Sequence, residues 1–220
     1  MKNLITTAIL PALFAGIFMI SCTKDKPLTS QTNETTVTTD GIVYAVDTLN
    51  SKIEWKGFKV VKSDNTSHFG TIKFESGEVT VKEGKLQSGT FVADMTTLTS
   101  VDLKDDAEQL EKLNGHLKSG DFFEVEKFPT ASYEITSVAD NTAGGDYNTL
   151  LDGNLTIKGI TKPVKFQANV SVKDGEISIA TEPKDIMRED YGVKFQLPLT
   201  NGIIKDEVNL QIFIKALEKK

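Results

Sequence analysis

Period-two alternation runs through most of this chain and leaves little choice of secondary structure. Val164, Phe166, Ala168, Val170 and Val172 alternate with Lys165, Gln167, Asn169 and Ser171, and Val208, Leu210, Ile212 and Ile214 alternate with Asn209 and Gln211. The same beat recurs at Phe91-Ala93-Met95 and at Tyr133-Ile135. Successive side chains of a strand point to opposite faces, so these runs are strands with one apolar face and one wet face. Eight are predicted, over 43–60 (broken near Gly57), 69–81, 86–95, 130–139, 147–157, 162–173, 176–182 and 206–216, with 191–199 as a ninth. Turn signals fall at Glu83-Gly84, Gly144-Gly145, Asp152-Gly153 and Asp174-Gly175, the last with room only for a two-residue hairpin. Loops this short cannot carry parallel crossovers, so the strands form an antiparallel meander. Such a meander closes into a barrel or packs as a sandwich, and alternation alone does not choose.

One stretch breaks the pattern. Ala107, Leu110, Leu113 and Leu117 stand at helical spacing, with Asp105 or Asp106 as N-cap and Gly115 as a left-handed stop. An aromatic foot follows: Phe122 and Phe123 beside Gly120, then Phe128 and Pro129, the proline turning the chain into a strand at Thr130. Neighbours in extended chain point apart. One of Phe122 and Phe123 is therefore expected to enter the barrel end and the other to pack under the helix.

Residues 1–21 read as an export signal: a positive start at Met1-Lys2-Asn3, then an apolar run from Leu4 to Ile20 interrupted by Pro11 and Gly16. The run ends in Met19-Ile20-Ser21-Cys22, which resembles a lipobox with Met19 in place of the usual Leu. Cys22 is expected to be the lipidated N-terminus; the alternative is an ordinary signal followed by a chance cysteine. As the chain's single cysteine it cannot form an internal disulfide, and a thioether would shield it from oxidation. The lipidated Cys and a flexible tether then occupy residues 22–41, rich in Thr, Ser, Asn and Gln and too poor in apolar residues to repay ordering. Its free part would reach roughly 20–25 Å on average. The folded domain is 42–220. Loss of residues 1–21 removes Lys2, so the formal charge of −6 becomes −7. An acidic domain without a basic stripe disfavours nucleic acid and electrostatic docking on anionic lipid, leaving the acyl chains as the membrane attachment.

The central segment of the chain is His116-Leu117-Lys118-Ser119-Gly120-Asp121-Phe122-Phe123 followed by Phe128-Pro129. Tyr44-Ala45-Val46-Asp47 with Ser51-Lys52-Ile53-Glu54-Trp55 precedes it. Gly153 to Val164, Arg188-Glu189-Asp190-Tyr191-Gly192-Val193 and Asp206-Glu207-Val208 follow in order. Together these segments resemble the YceI family of bacterial periplasmic, lipocalin-like proteins associated with polyisoprenoid and other lipid-like ligands. Where the family often carries an Arg-Asp or Arg-Asn pair before the His-Leu, this chain has Leu113-Asn114-Gly115. The resemblance implies an all-β, antiparallel, eight-stranded up-and-down (lipocalin-like) barrel with a short helical insert.

Catalytic patterns are sparse. The chain has two histidines with no His/Cys cluster at metal-ligand spacing, no Gly-x-Ser-x-Gly elbow and no Gly-rich phosphate loop, so no metal and no cofactor are expected. His68 reads as a strand-start cap, or alternatively as a polar contact at the barrel mouth; His116 reads as packing. Arg188 could pair with Asp206-Glu207 across a barrel end or hold a phosphate or carboxylate head group there. The inward phase mixes large residues (Trp55, Phe91, Tyr133, Phe166) with small ones (Ala93, Ala131, Ala168, Gly153), and in mid-strand it shows Tyr133 but no Asp, Glu, His or Lys.

An enzyme is accordingly disfavoured. The expected function is an exported, lipid-anchored barrel in a bacterial envelope, with Trp55, Phe91, Tyr133, Phe166, Phe122, Phe123 and Arg188 around a long apolar ligand. Through the resemblance that ligand is isoprenoid- or lipid-like. The alternative is a structural or stress-related envelope lipoprotein with a packed, ligand-free barrel. An eight-stranded barrel has room for either arrangement.

Overall fold

A computed structural model describes residues 34–36, 40–62, 64–198 and 202–220. The predicted export signal, the lipobox and Cys22 lie outside them. The described strands are β1 (Glu34–Thr36), β2 (Ile42–Val46), β3 (Lys52–Val61), β4 (Asp64–Lys82), β5 (Lys85–Ser100), β6 (Thr130–Asp140), β7 (Thr149–Ile157), β8 (Ile160–Lys173), β9 (Glu176–Thr181), β10 (Lys184–Met187) and β11 (Ile203–Glu218). Helix α1 (Ala107–Lys118) lies between β5 and β6.

From β3 to β9 each strand pairs antiparallel with the next, β2 also pairs β4, β10 pairs β11, and β11 closes on β9 and returns to β2 and β3. Because β2 with β3, and β9 with β10, each fill one place, the ring has eight positions. The alternation therefore closes as a barrel, not a sandwich. The apolar phase turns inward as two clusters bridged by Ile53 and Leu210; in the larger, Ala168, Ile177 and Ala216 are fully covered, and Phe166, Ile135 and Ile179 nearly so.

The turns follow from backbone chemistry. Asp174 (φ 53°) and Gly175 (φ 75°) join Lys173 to its partner Glu176, a two-residue turn with both central residues left-handed. Glu83-Gly84 and Lys158-Gly159 repeat that geometry. The first strand breaks at Asp47–Ser51 and not near Gly57. Asp47 accepts the N–H groups of Leu49 (3.1 Å) and Asn50 (3.3 Å), and the Asn50 side chain as well (2.7 Å). Gly57 stays inside β3; the irregularity at its level is in β11, whose register shifts between Ile204 and Val208.

Four other expectations are corrected. Asp152-Gly153 is no turn but mid-β7, where Gly153 faces Ile135 and Val164. The ninth strand expected at 191–199 does not form over its described residues, 191–198. A 3-10 turn over Arg188–Tyr191 leads into irregular chain at 192–198, in which Val193, Phe195 and Leu197 keep their period-two facing but have no ladder. Asp106 caps α1 as expected, accepting from the Gln109 N–H (3.1 Å), yet Gly115 does not end it. Ser119 closes the helix instead, its N–H on Gly115 O (3.0 Å) and its hydroxyl on His116 O (2.8 Å). Finally, Glu34–Thr36, within the predicted tether, pairs with β6 at Ser137–Ala139.

Candidate functional site

The inward faces of β3–β11 enclose a cavity of about 300 Å³ with an overwhelmingly apolar wall. Its mouth lies where β3, β5 and β10 end and β4 and β11 begin. There α1, the turn at 119–128 and the segment 192–198 form an incomplete roof. No side chain of α1 is fully buried, so the helix covers the mouth more than it plugs it.

All seven residues expected around a ligand stand in this wall. Tyr133 is buried, donates its hydroxyl to Val164 O (3.0 Å) and meets Phe166 edge-on at 5.4 Å. Burial, with Asp152 adding to it, raises the phenol's pKa, so Tyr133 stays protonated. Phe91 packs edge-on against Phe74 at 6.3 Å. Trp55 is 8% exposed within a cluster with Ile72, Ala93, Met95, Leu98 and Val125, and its indole N–H has no hydrogen-bond partner among the described residues.

Phe122 and Phe123 do not diverge to opposite sides. They sit in a turn, not in extended chain, and both reach the cavity. Phe122 joins a three-ring group with His116 (4.9 Å) and Phe195 (5.2 Å), while Phe123 packs on the Trp55 cluster beside Leu117. Lys158 locks this foot to the β7–β8 hairpin through Phe122 O (2.7 Å). His116 is more than packing, since its Nε2 also lies 3.1 Å from Asp121 Oδ2.

Arg188 is 5% exposed and committed to the protein's own backbone. It donates to Lys205 O (3.0 Å), Ile204 O (3.4 Å) and Val193 O, with Glu189 as its carboxylate neighbour (3.4 Å). Burial lowers its pKa against the pull of Glu189 and Asp206. No hydrogen bond joins it to Asp206 or Glu207 among the described residues; Asp206 instead accepts the Glu189 N–H (2.8 Å). The guanidinium thus fastens irregular 193 to the displaced start of β11.

His68 is not a strand-start cap, because β4 begins at Asp64. It lines the mouth, with Nδ1 2.8 Å from Asp102 Oδ2. Burial would raise the Asp102 pKa, but hydrogen bonds from the Ser100 hydroxyl (2.6 Å), the Phe69 N–H (3.0 Å) and His68 outweigh it and lower it. Lys59, Lys205, Tyr191 and Phe195 also line the cavity and were missed in the sequence. Lys59 continues the inward phase of Trp55 and Gly57, a signal that was available, whereas Lys205 is placed by the β11 irregularity. Asn114 stands at the site of the family's Arg-Asp or Arg-Asn pair and ties α1 to β5 through the Ser100 N–H (2.9 Å) and Thr99 hydroxyl (3.0 Å). Among the described residues no group of three or more His, Cys, Asp or Glu could hold a metal.

The model of the YceI-like domain family matches residues 44–216, nearly the whole ring. The chain belongs to the YceI-like family. A UPF0312 protein of Pseudomonas aeruginosa (strain LESB58) is 33% identical over 109 residues, 47% of this chain and 53% of the relative. A UPF0312 protein of Shewanella denitrificans is 25% identical over 182 residues, 80% and 91% of the two chains. The chain spans about half the length of the first of these curated relatives. Two solved structures share the YceI-like fold. BcnA of Burkholderia cenocepacia has a TM-score of 0.56 at 17% identity, covering 77% of this chain and 98% of BcnA. A polyisoprenoid binding domain from Saccharophagus degradans has a TM-score of 0.57 at 15% identity, covering 81% and 99%.

Proposed function

We propose that this YceI-like chain is an exported, lipid-anchored barrel of the bacterial envelope that holds a long apolar, isoprenoid- or lipid-like ligand in its interior. The observation that carries this reading is the hollow, apolar barrel. About 300 Å³ lies open among Trp55, Phe91, Tyr133, Phe166 and the Phe122-Phe123 foot, in the range of small-molecule sites. A barrel packed shut would have filled that space, because interiors are close-packed. The Saccharophagus degradans neighbour, a polyisoprenoid binding domain, supports the same ligand class. The interior supports a binding reading: among the described residues no carboxylate lines the cavity, and Tyr133 is held neutral by burial.

Native mass spectrometry before and after organic extraction tests it. Protein purified from its own envelope should carry an extractable lipid-sized adduct, and the emptied protein should gain thermal stability when lipid extract is returned, since a ligand of the folded state raises its midpoint. Consistently empty protein with no shift would overturn the carrier reading.

A further inference from the structure

The apolar wall ends at its mouth in charge of one sign. Among the described residues five lining side chains are of basic type and none is a carboxylate, although the whole chain has 31 acidic residues against 25 Lys and Arg. Three of the five are engaged, Arg188 by backbone carbonyls and Glu189, His116 by Asp121 and His68, through Nδ1, by Asp102. Lys59 and Lys205 remain. Neither lysine ammonium has a carboxylate partner among the described residues; that of Lys205 lies 5.8 Å from the centre of the Phe58 ring.

Strand register sets Lys59 and His68 around one residue, and Lys205 begins the stretch of β11 left unpaired with β3 beside them. Gly57 faces His68 on β4 and Val208 on β11, and Lys59, two residues along the same face of β3, faces Ile204 next to Lys205. A Cβ placed on Gly57 would meet nothing within 4 Å, so a notch opens there. Asp102 holds the His68 ring at Nδ1, and Nε2 has no hydrogen-bond partner among the described residues.

We infer that the notch at Gly57 seats an anionic oxygen head group, phosphate or carboxylate, of an amphiphile whose tail fills the barrel, with Lys59 and Lys205 as its counter-charges and His68 beside it. This rests on the proposed function and adds the head-group class to it. Lysine stems can lie on the apolar rim while their ammonium groups meet the anion in water, at little desolvation cost. A neutral head group would leave that paired positive charge without use.

The test compares geranylgeranyl phosphate, geranylgeranoic acid and geranylgeraniol, one tail with three heads, by competition for delipidated protein below their aggregation thresholds. The phosphate or the acid should bind about tenfold or more tighter than the alcohol, as expected for hydrogen bonds to charged groups. In Lys59→Met/Lys205→Met the ratio should fall towards one, and high salt should shrink it in the wild type. If the alcohol binds as tightly as both anions, the head-group inference fails and the apolar cavity reading stands. If none of the three binds, both fail. A preference that survives the double substitution overturns the assignment to these lysines.

Discussion

Tyr133 lies across Gly153, so closely that a Cβ on residue 153 would meet the phenol's Cζ at 2.4 Å and its hydroxyl oxygen at 2.5 Å. The missing side chain on β7 is what lets the ring cross from β6 and reach Val164 O on β8. Gly153→Ala should therefore destabilise the domain by about 1–3 kcal/mol, as overpacking does. Combined with Tyr133→Leu the loss should be less than additive, because the two residues are in contact. Chemical denaturation of the three variants checks this; strict additivity would mean that the ring makes room on its own.

Phe122 and Phe123 should both matter for the ligand but not equally for stability. Phe122→Ala removes the ring between His116 and Phe195 and should cost about 2–4 kcal/mol, in the lower range for buried aromatics because the site already borders open space. Phe123, only partly buried, should cost less. Lipid retention should fall in both, measured on protein that remains folded. Retention unchanged in both would confine the foot to a structural role.

The Asp174-Gly175 turn needs two left-handed residues in a row. Changing both to Ala should lower stability by about 1–3 kcal/mol, since L residues with a Cβ disfavour that region. The denaturant midpoint is the readout, and an unchanged one would show that the loop rearranges freely.

Cys22→Ser should move the protein from the membrane pellet to the soluble envelope fraction and leave the thermal midpoint unchanged. Continued partition with membranes at high salt would show that attachment does not depend on this thiol.

Alkaline titration should find Tyr191 late. Burial, with Asp190 adding to it, pushes its pKa up to about 12 from an ordinary 10.0. Above pH 10 the unfolded chain loses this proton while the folded one keeps it, so stability must fall as pH rises through the window from 10 to about 12. The slope from this single group is at most about 1.4 kcal/mol per pH unit. Tyr191→Phe should flatten the decline by up to that amount, and identical slopes for both proteins would show that the ring is not shielded.

The ring was legible because a barrel wall writes itself as alternation, one residue in and one out, independent of which strand lies alongside. The same property misled at 191–199. Tyr191, Val193, Phe195 and Leu197 do face the cavity on every second residue, but facing is set by side chains and a strand also needs a hydrogen-bonded neighbour, which alternation cannot report. Glycine was ambiguous for a similar reason. At 153 it serves close approach and at 115 it is merely tolerated, although each carries the signal that marks a turn or a helix end. At the mouth, the mid-strand reading of an interior without Lys or His overlooked that the inward phase continues to the strand ends, through Gly57 to Lys59 and through Gly70 to His68. Arg188 lines the cavity, but its partners, the carbonyls of Val193, Ile204 and Lys205, exist only once β11 has shifted register.

The last strand, β11, pairs with β2 and β3 on one side and with β9 and β10 on the other. Tyr44 meets Glu218, so the seam joins nearly the two extremes of the folded domain, whereas the other ring neighbours are consecutive in the chain. Hairpins can form early at small loop-closure cost, but the seam must wait for the longest closure. Until then the chain is an open sheet with two unpaired edges and a greasy face. Locking is therefore postponed until the C-terminal strand is available, which keeps the polypeptide in a loose, threadable condition through most of its synthesis.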